Sequence, residues 1–207
     1  NKINDLHYYL SSQSPDIVIV SETWASPSSP NALFIGDCNY TIFRKDRITE
    51  TVGGGVGIFL NNNSVIGTEV VIPSKYTHLE LAVVDICTSL AKVRLFACYR
   101  PPAVSDCDPV AISYISDLCN CIDELSNSGC TSLICGDFNF RNINWESDLT
   151  NIPVGANSCA SIFCNFINEH CFYQFVRDAT RYSADGSSGS ILDLIMCNDI
   201  NFVYNVA

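Results

Sequence analysis

The sequence predicts one mixed α/β domain, in the α+β sense, with mostly antiparallel sheets covered by helices, and three observations predict it. Apolar residues make up 47% of the 207 positions and charged residues only 16%, which is the balance of a packed body and not of a disordered chain. Short β-branched apolar runs are interspersed with segments of clear helical period, the pattern of sheets that bury one face under helices. No internal repeat, low-complexity tract or long linker divides the chain, so residues 1–207 read as a single domain.

Ile3, Leu6, Tyr9 and Leu10 recur at helical spacing, so the chain opens on a helix ending near Ser11-Ser12. Asp16-Ile17-Val18-Ile19-Val20-Ser21 is a buried-strand run that stops at Glu22-Thr23-Trp24 and a Ser/Pro loop. Tyr40–Arg44 and Gly55–Leu60 read as two strands joined by a polar turn. The glycines at 53–57 are followed by no Gly-Lys-Ser/Thr and no helix, which argues against a nucleotide loop; they predict a strand start that another backbone approaches closely. Further strands are expected at Leu79–Cys87 and Lys92–Tyr99, a turn at Arg100-Pro101-Pro102, and a helix from Pro109 to Leu125. Ser132–Cys135 is a strand that delivers Gly136-Asp137-Phe138-Asn139 into a loop, a second helix fits Cys159 to His170, and a polar loop at Ser183–Ser190 precedes a strand at Ile191–Met196.

No apolar run approaches the ~18–20 residues that cross a bilayer, and no basic segment followed by an apolar stretch opens the chain. The net charge of −11 runs against the basic surface usual for nucleic-acid binding, where Lys and Arg displace counterions. The twelve cysteines sit mostly in apolar segments, so reduced, buried thiols are expected rather than a disulfide framework. Cys119-x-Cys121 and the loose Cys159, Cys164, His170, Cys171 series lack zinc-ligand spacing.

Three carboxylates stand at the ends of apolar strands: Glu22, Asp137 and Asp193. A carboxylate there costs several kcal/mol of desolvation unless a cation or hydrogen bonds compensate it. Oxygen-only donors would suit Mg²⁺ or Mn²⁺; three unrelated local partners are the competing explanation. In the Gly-Asp-x-Asn arrangement, Asp137 could orient or deprotonate water and the Asn139 amide could donate to a phosphate oxygen. An ordinary Asx turn uses the same residue types.

Five blocks occur in order: Ser21-Glu22-Thr23-Trp24; Arg44-x-Asp46-Arg47 ahead of Gly53-Gly54-Gly55-Val56; Tyr99-Arg100-Pro101-Pro102; Gly136-Asp137-Phe138-Asn139; and Ile191-Leu192-Asp193-Leu194-Ile195. Together they resemble the endonuclease/exonuclease/phosphatase superfamily, whose members include abasic-site endonucleases, pancreatic deoxyribonuclease and inositol-phosphate phosphatases. The wording is most similar to the endonuclease domain of non-LTR (LINE-like, jockey-type) retrotransposons. The resemblance implies a four-layer αββα sandwich of two mostly antiparallel sheets flanked by helices. It implies Mg²⁺-dependent (Mn²⁺ as the alternative) in-line attack of water on a phosphodiester. In that scheme Glu22 binds the metal, Tyr99 lies near the scissile phosphate, Asp137 handles the attacking water, Asn139 helps hold the phosphate, and Asp193 orients a histidine. The implied partners are DNA and a downstream reverse-transcriptase domain of the same polyprotein, with action in the nucleus, no membrane and no disulfide-linked partner.

Arg44, Arg47, Arg100, Arg141 and Arg181 lie beside motif blocks and could supply a DNA-contacting surface, Arg181 being taken as a substrate-binding candidate; structural salt bridges are the competing use. The resemblance also carries an upstream strand with a metal-site asparagine and a downstream Ser-Asp-His block. Asn1 and Asn4 stand in the wrong context to replace the first, and His7, His78 and His170 are expected to be ordinary histidines. The chain is therefore expected to be a fragment clipped at both ends, weakly active or inactive, since losing one acid–base member commonly costs ~10²–10⁴-fold in rate. Two other readings stay open: a phosphatase of the same fold acting on inositol phosphates or phospholipids, and a non-catalytic remnant of the fold.

Overall fold

The computed structural model describes residues 2–48, 53–88, 91–126, 129–145, 157–186 and 188–206; Asn1 lies outside them. The opening helical period forms α1 (Lys2–Gln13). β1 (Ile17–Ser21), a short α2 (Ala32–Ile35), β2 (Tyr40–Lys45) and β3 (Val56–Asn61) follow, and the strands form an antiparallel sheet in the order β1-β3-β2. β3 is buried at every position, as an unbroken apolar run covered on both faces should be. Its register sets Ser21 opposite Val56, so the chain leaving β1 meets the glycines that lead into β3.

The second sheet has the order β4-β5-β6-β7-β11-β8, made of β4 (Gly67–Glu69), β5 (Glu80–Cys87), β6 (Lys92–Tyr99), β7 (Thr131–Asp137), β8 (Tyr173–Gln174) and β11 (Asp193–Cys197). Every pairing in it is antiparallel except β6 with β7. That parallel pair is joined through α3 (Pro109–Leu125), since parallel strands need a crossover. α3 begins where the sequence favours it: the Asp108 side chain accepts a hydrogen bond from the Val110 amide and Pro109 takes the first turn. α4 (Cys159–Glu169) is likewise capped by Ser158.

Three apolar clusters separate four layers. Leu10, Phe34 and Phe59 join α1 and α2 to the first sheet. Ile58, Leu60, Val84, Leu95 and Ala97 fill the space between the sheets. Phe96, Ile134 and Met196 meet Ile115, Ile122, Phe163 and Ile167 of α3 and α4. The order is helix, sheet, sheet, helix, the αββα sandwich expected above.

Two expectations are corrected. The strand read at Ile191–Met196 starts at Asp193 and ends at Cys197. Leu192 and Asp193 give their amides to Thr180 Oγ1, at 3.0 and 3.1 Å, as the strand begins. The segment read as a polar loop contains half of a small ribbon, β9 (Arg181–Tyr182) paired with β10 (Gly189–Ser190). The cysteines of the loose Cys/His series are divided: Cys159 and Cys164 are buried free thiols and Cys171 is exposed.

Candidate active site

The last residues of β6 and β7 and the first residue of β11 meet at one end of the second sheet, and their registers set three candidate side chains in one row. Tyr99 is the partner of Asp137, and Asp137 is the partner of Asp193, so the three project from one face of the sheet. Gly136 makes this close pairing possible. Its φ is +147°, and a Cβ built there would stand 1.8 Å from the Cys98 carbonyl oxygen, so no other residue fits without moving β6 away from β7.

Asp137 is held on three sides. Its amide donates to Ser21 Oγ at 3.3 Å, its carbonyl accepts from the Arg100 amide at 2.9 Å, and its Oδ1 accepts from the Asn139 amide at 2.9 Å. The last contact is the Asx turn of the plainer explanation, and it coexists with the clustering. Burial pushes the Asp137 carboxyl up to about 6; the Asn139 amide opposes that, the Asp193 and Glu22 charges add to it, and Arg181 draws it back.

Glu22 arrives from the other sheet, just past β1, in a left-handed backbone conformation with φ +57°. Tyr99 bridges the two sheets here, its hydroxyl donating to Glu22 Oε1 at 2.8 Å. Burial, reinforced by the Glu22 charge, holds the Tyr99 phenol well above its usual range, so it remains a donor. Asn139, also left-handed at φ +52°, directs its amide nitrogen to the Arg100 carbonyl at 2.9 Å, which fixes the side chain and leaves one N–H to spare.

Among the described residues, no three His, Cys, Asp or Glu side chains converge closely enough to hold a metal ion by themselves. Mg²⁺ seldom requires that: it takes one or two carboxylates and completes its shell with water and substrate oxygens. Glu22 is an exposed carboxylate with one oxygen engaged by Tyr99, and Asp137 feels the negative charge of both Glu22 and Asp193. This oxygen-only, charge-accumulating edge fits such a partly hydrated cation.

The arginines divide. Arg44 is spent on Asp46 at 3.3 Å and on the Ser26 and Ser29 carbonyls. Arg47 pairs with Glu80 at 2.7 Å, and Arg100, buried, binds the Phe138 and Asn139 carbonyls and lies over the Phe140 ring. Arg141 and Arg181 are exposed. Each histidine is engaged elsewhere: His7 at the Leu33 carbonyl, His78 at Asp117 and His170 at Asp123.

Sequence reasoning missed Glu80. This buried carboxylate accepts from Arg47 Nε and from the Gly55 amide, while Arg47 stands over the Tyr99 ring at 5.6 Å. Tyr114 completes the support by donating to the Tyr99 carbonyl at 2.9 Å. Glu80 begins an apolar strand, so the strand-terminus rule that found Glu22 would have found it too.

The family described as endonuclease-reverse transcriptase matches residues 93–204, just over half of the chain. Among solved structures, the chain is similar to the endonuclease domain of TRAS1, a telomere-specific non-LTR retrotransposon, with a TM-score of 0.61 at 12% identity over 94% of this chain and 77% of that one. It is also similar to the Xenopus laevis APE2 catalytic domain, with a TM-score of 0.67 at 14% identity over 93% and 77%. A third likeness is the 3′ phosphatase NExo from Neisseria, solved bound to a product DNA hairpin, with a TM-score of 0.63 at 12% identity over 95% and 81%. At these identities the likeness is one of fold. No curated protein matches the chain.

Proposed function

The chain belongs to the endonuclease-reverse transcriptase family, and from that premise we propose that it hydrolyses phosphodiester bonds in DNA, as the nicking endonuclease of a non-LTR retrotransposon. The observation that carries the reading is the single row of Tyr99, Asp137 and Asp193 with Glu22 joined to it through the Tyr99 hydroxyl. Asp137, with its carboxyl near 6, is ionised at neutral pH yet basic enough to take a proton from water. Tyr99 keeps its proton and gives it to Glu22; a cation on Glu22 would free that O–H to turn to a phosphate oxygen. Asn139 is oriented by the Arg100 carbonyl, so its remaining N–H can meet a second phosphate oxygen without searching rotamers. Asp193 supplies negative charge that keeps Asp137 basic, and Arg181, exposed on the adjoining ribbon, is the nearby cation for the substrate backbone. Glu22 would hold Mg²⁺, or Mn²⁺ in its place, with Asp137 and Asp193 reinforcing the negative field. Such an ion, when bound, stabilises charge developing on the phosphate. A downstream reverse-transcriptase domain in the same polyprotein and a nuclear site of action belong to this proposal.

One observation favours a second reading. The net charge is −11 and three of the five motif arginines are used internally, which suits a small phosphorylated ligand better than a long polyanion. That reading is a phosphatase of the same fold acting on inositol phosphates. Incubating the protein, expressed through its full reading frame, with supercoiled plasmid and Mg²⁺ separates the two. Nicking that falls about 10²–10⁴-fold in Asp137→Ala supports the endonuclease. Nicking that survives the substitution overturns it, and phosphate release from inositol phosphates without nicking establishes the second reading.

A further inference from the structure

Trp24 stands two residues past Glu22 and is 63% exposed, so its indole face is open to solvent beside the candidate site. Its backbone is not loose. Glu22 and Trp24 both adopt left-handed conformations, with φ +57° and +54°, which side chains other than glycine and asparagine rarely hold without support. The support is a short ladder: the Thr23 and Trp24 amides donate to the Gly55 and Gly54 carbonyls at 3.2 and 2.9 Å. Gly53 lies alongside the indole, where a built Cβ would be 3.8 Å from Trp24 Nε1. The main chain therefore fixes where the ring emerges from the surface. Together with Ser21 and Glu22, Trp24 lines a cavity of about 470 Å³ backed by Leu6, Phe34 and Phe59. A solvent-facing aromatic ring on a well-held backbone beside the candidate phosphate site is a surface suited to a flat ligand.

We propose that Trp24 is a stacking platform for a nucleobase of the strand whose phosphodiester lies at Glu22 and Asp137. The inference deepens the endonuclease reading and rests on it. Every base offers a π face, so an indole can grip a strand without reading its sequence. Charge makes this grip more important than usual here. Backbone neutralisation normally supplies much of the affinity for DNA, but Arg44, Arg47 and Arg100 are committed to internal partners. Stacking carries a correspondingly larger share. An inositol phosphate has no π face to stack in this way.

The chain holds two tryptophans, and Trp145 is only 7% exposed, so its Trp145→Phe variant reports emission from Trp24 alone. Iodide quenching of the two-tryptophan protein gives the same reading without that substitution, because iodide reaches only the exposed ring. A short single-stranded deoxyribo-oligonucleotide should quench Trp24 emission and shield it from iodide, whereas an abasic oligomer of equal length should do neither. Followed by anisotropy of a labelled oligomer, Trp24→Ala should weaken binding of the base-bearing strand roughly tenfold or more. Trp24→Phe should retain most of the affinity, and both variants should bind the abasic strand as the wild type does. Thermal melts of both variants separate lost stacking from lost folding. Binding of the base-bearing strand with unchanged Trp24 emission and full affinity in Trp24→Ala would overturn the platform and leave the endonuclease reading intact. Failure of every oligonucleotide to bind would overturn both.

Discussion

At the scale of single residues, Asp137 concentrates the chemistry in one titratable group. Its folded carboxyl, pushed up to about 6 from an ordinary 3.8, binds protons over a range in which the unfolded chain has released them. Its contribution to stability is therefore fully present below about pH 3.8 and is lost as pH rises through 6. Asp137→Asn should stabilise the fold at pH 7.5, by about 1 kcal/mol once solvent screening of this partly exposed group is discounted. The gain should vanish below pH 4, and paired thermal melts at the two pH values check it. Hydrolysis should fall as pH drops through 6, because the same protonation removes the base. Arg47 makes a different prediction: Arg47→Ala leaves Glu80 charged, buried and unpaired, and should cost about 3 kcal/mol in denaturant melts. Glu22, Asp137 and Asp193 were legible because charge at the end of an apolar run is costly and therefore conspicuous. The row they form with Tyr99 was not, since it depends on pairing registers between strands far apart in sequence.

At the scale of elements, long periodic segments were readable and short ones were not. α1, α3 and α4 carry apolar residues at helical spacing, and α3 adds an Asp108 cap and Pro109 at its start. α2, β4, β8, β9 and β10 span four residues or fewer, too few for any period to show, and their formation rests on tertiary contacts. Asp108→Ala should cost about 1 kcal/mol by removing the cap, a shift of a few degrees in a thermal melt. Gly136→Ala should do far more harm. The added methyl would strike the Cys98 carbonyl, so β6 and β7 must part at the rung next to the one that holds Tyr99 against Asp137. Loss of both cooperative melting and activity is the expected outcome; a wild-type melt would show that the two strands pair less closely than described.

At the scale of the whole molecule, the two sheets serve different ends of one site: the first delivers Glu22 and Trp24, the second the row of Tyr99, Asp137 and Asp193. The αββα order followed from the resemblance carried by five ordered sequence blocks, while composition alone reached only a mixed α/β body. The net charge of −11 was legible at once, but which arginines remain available was not, because internal pairing with Glu80 or main-chain carbonyls leaves no local mark. With three of the five motif arginines committed to internal partners, oligonucleotide binding should depend weakly on salt, and Arg181→Ala should reduce the slope of log K against log salt by about 1. The account as a whole stands on Asp137 acting as the base at a phosphodiester. The rate of Mg²⁺-dependent nicking of supercoiled plasmid by Asp137→Asn in the protein expressed through its full reading frame, against wild type at pH 7.5, tests that most directly. A fall of about 10²–10⁴-fold in a variant that still melts cooperatively is the predicted result; nicking at the wild-type rate would contradict it.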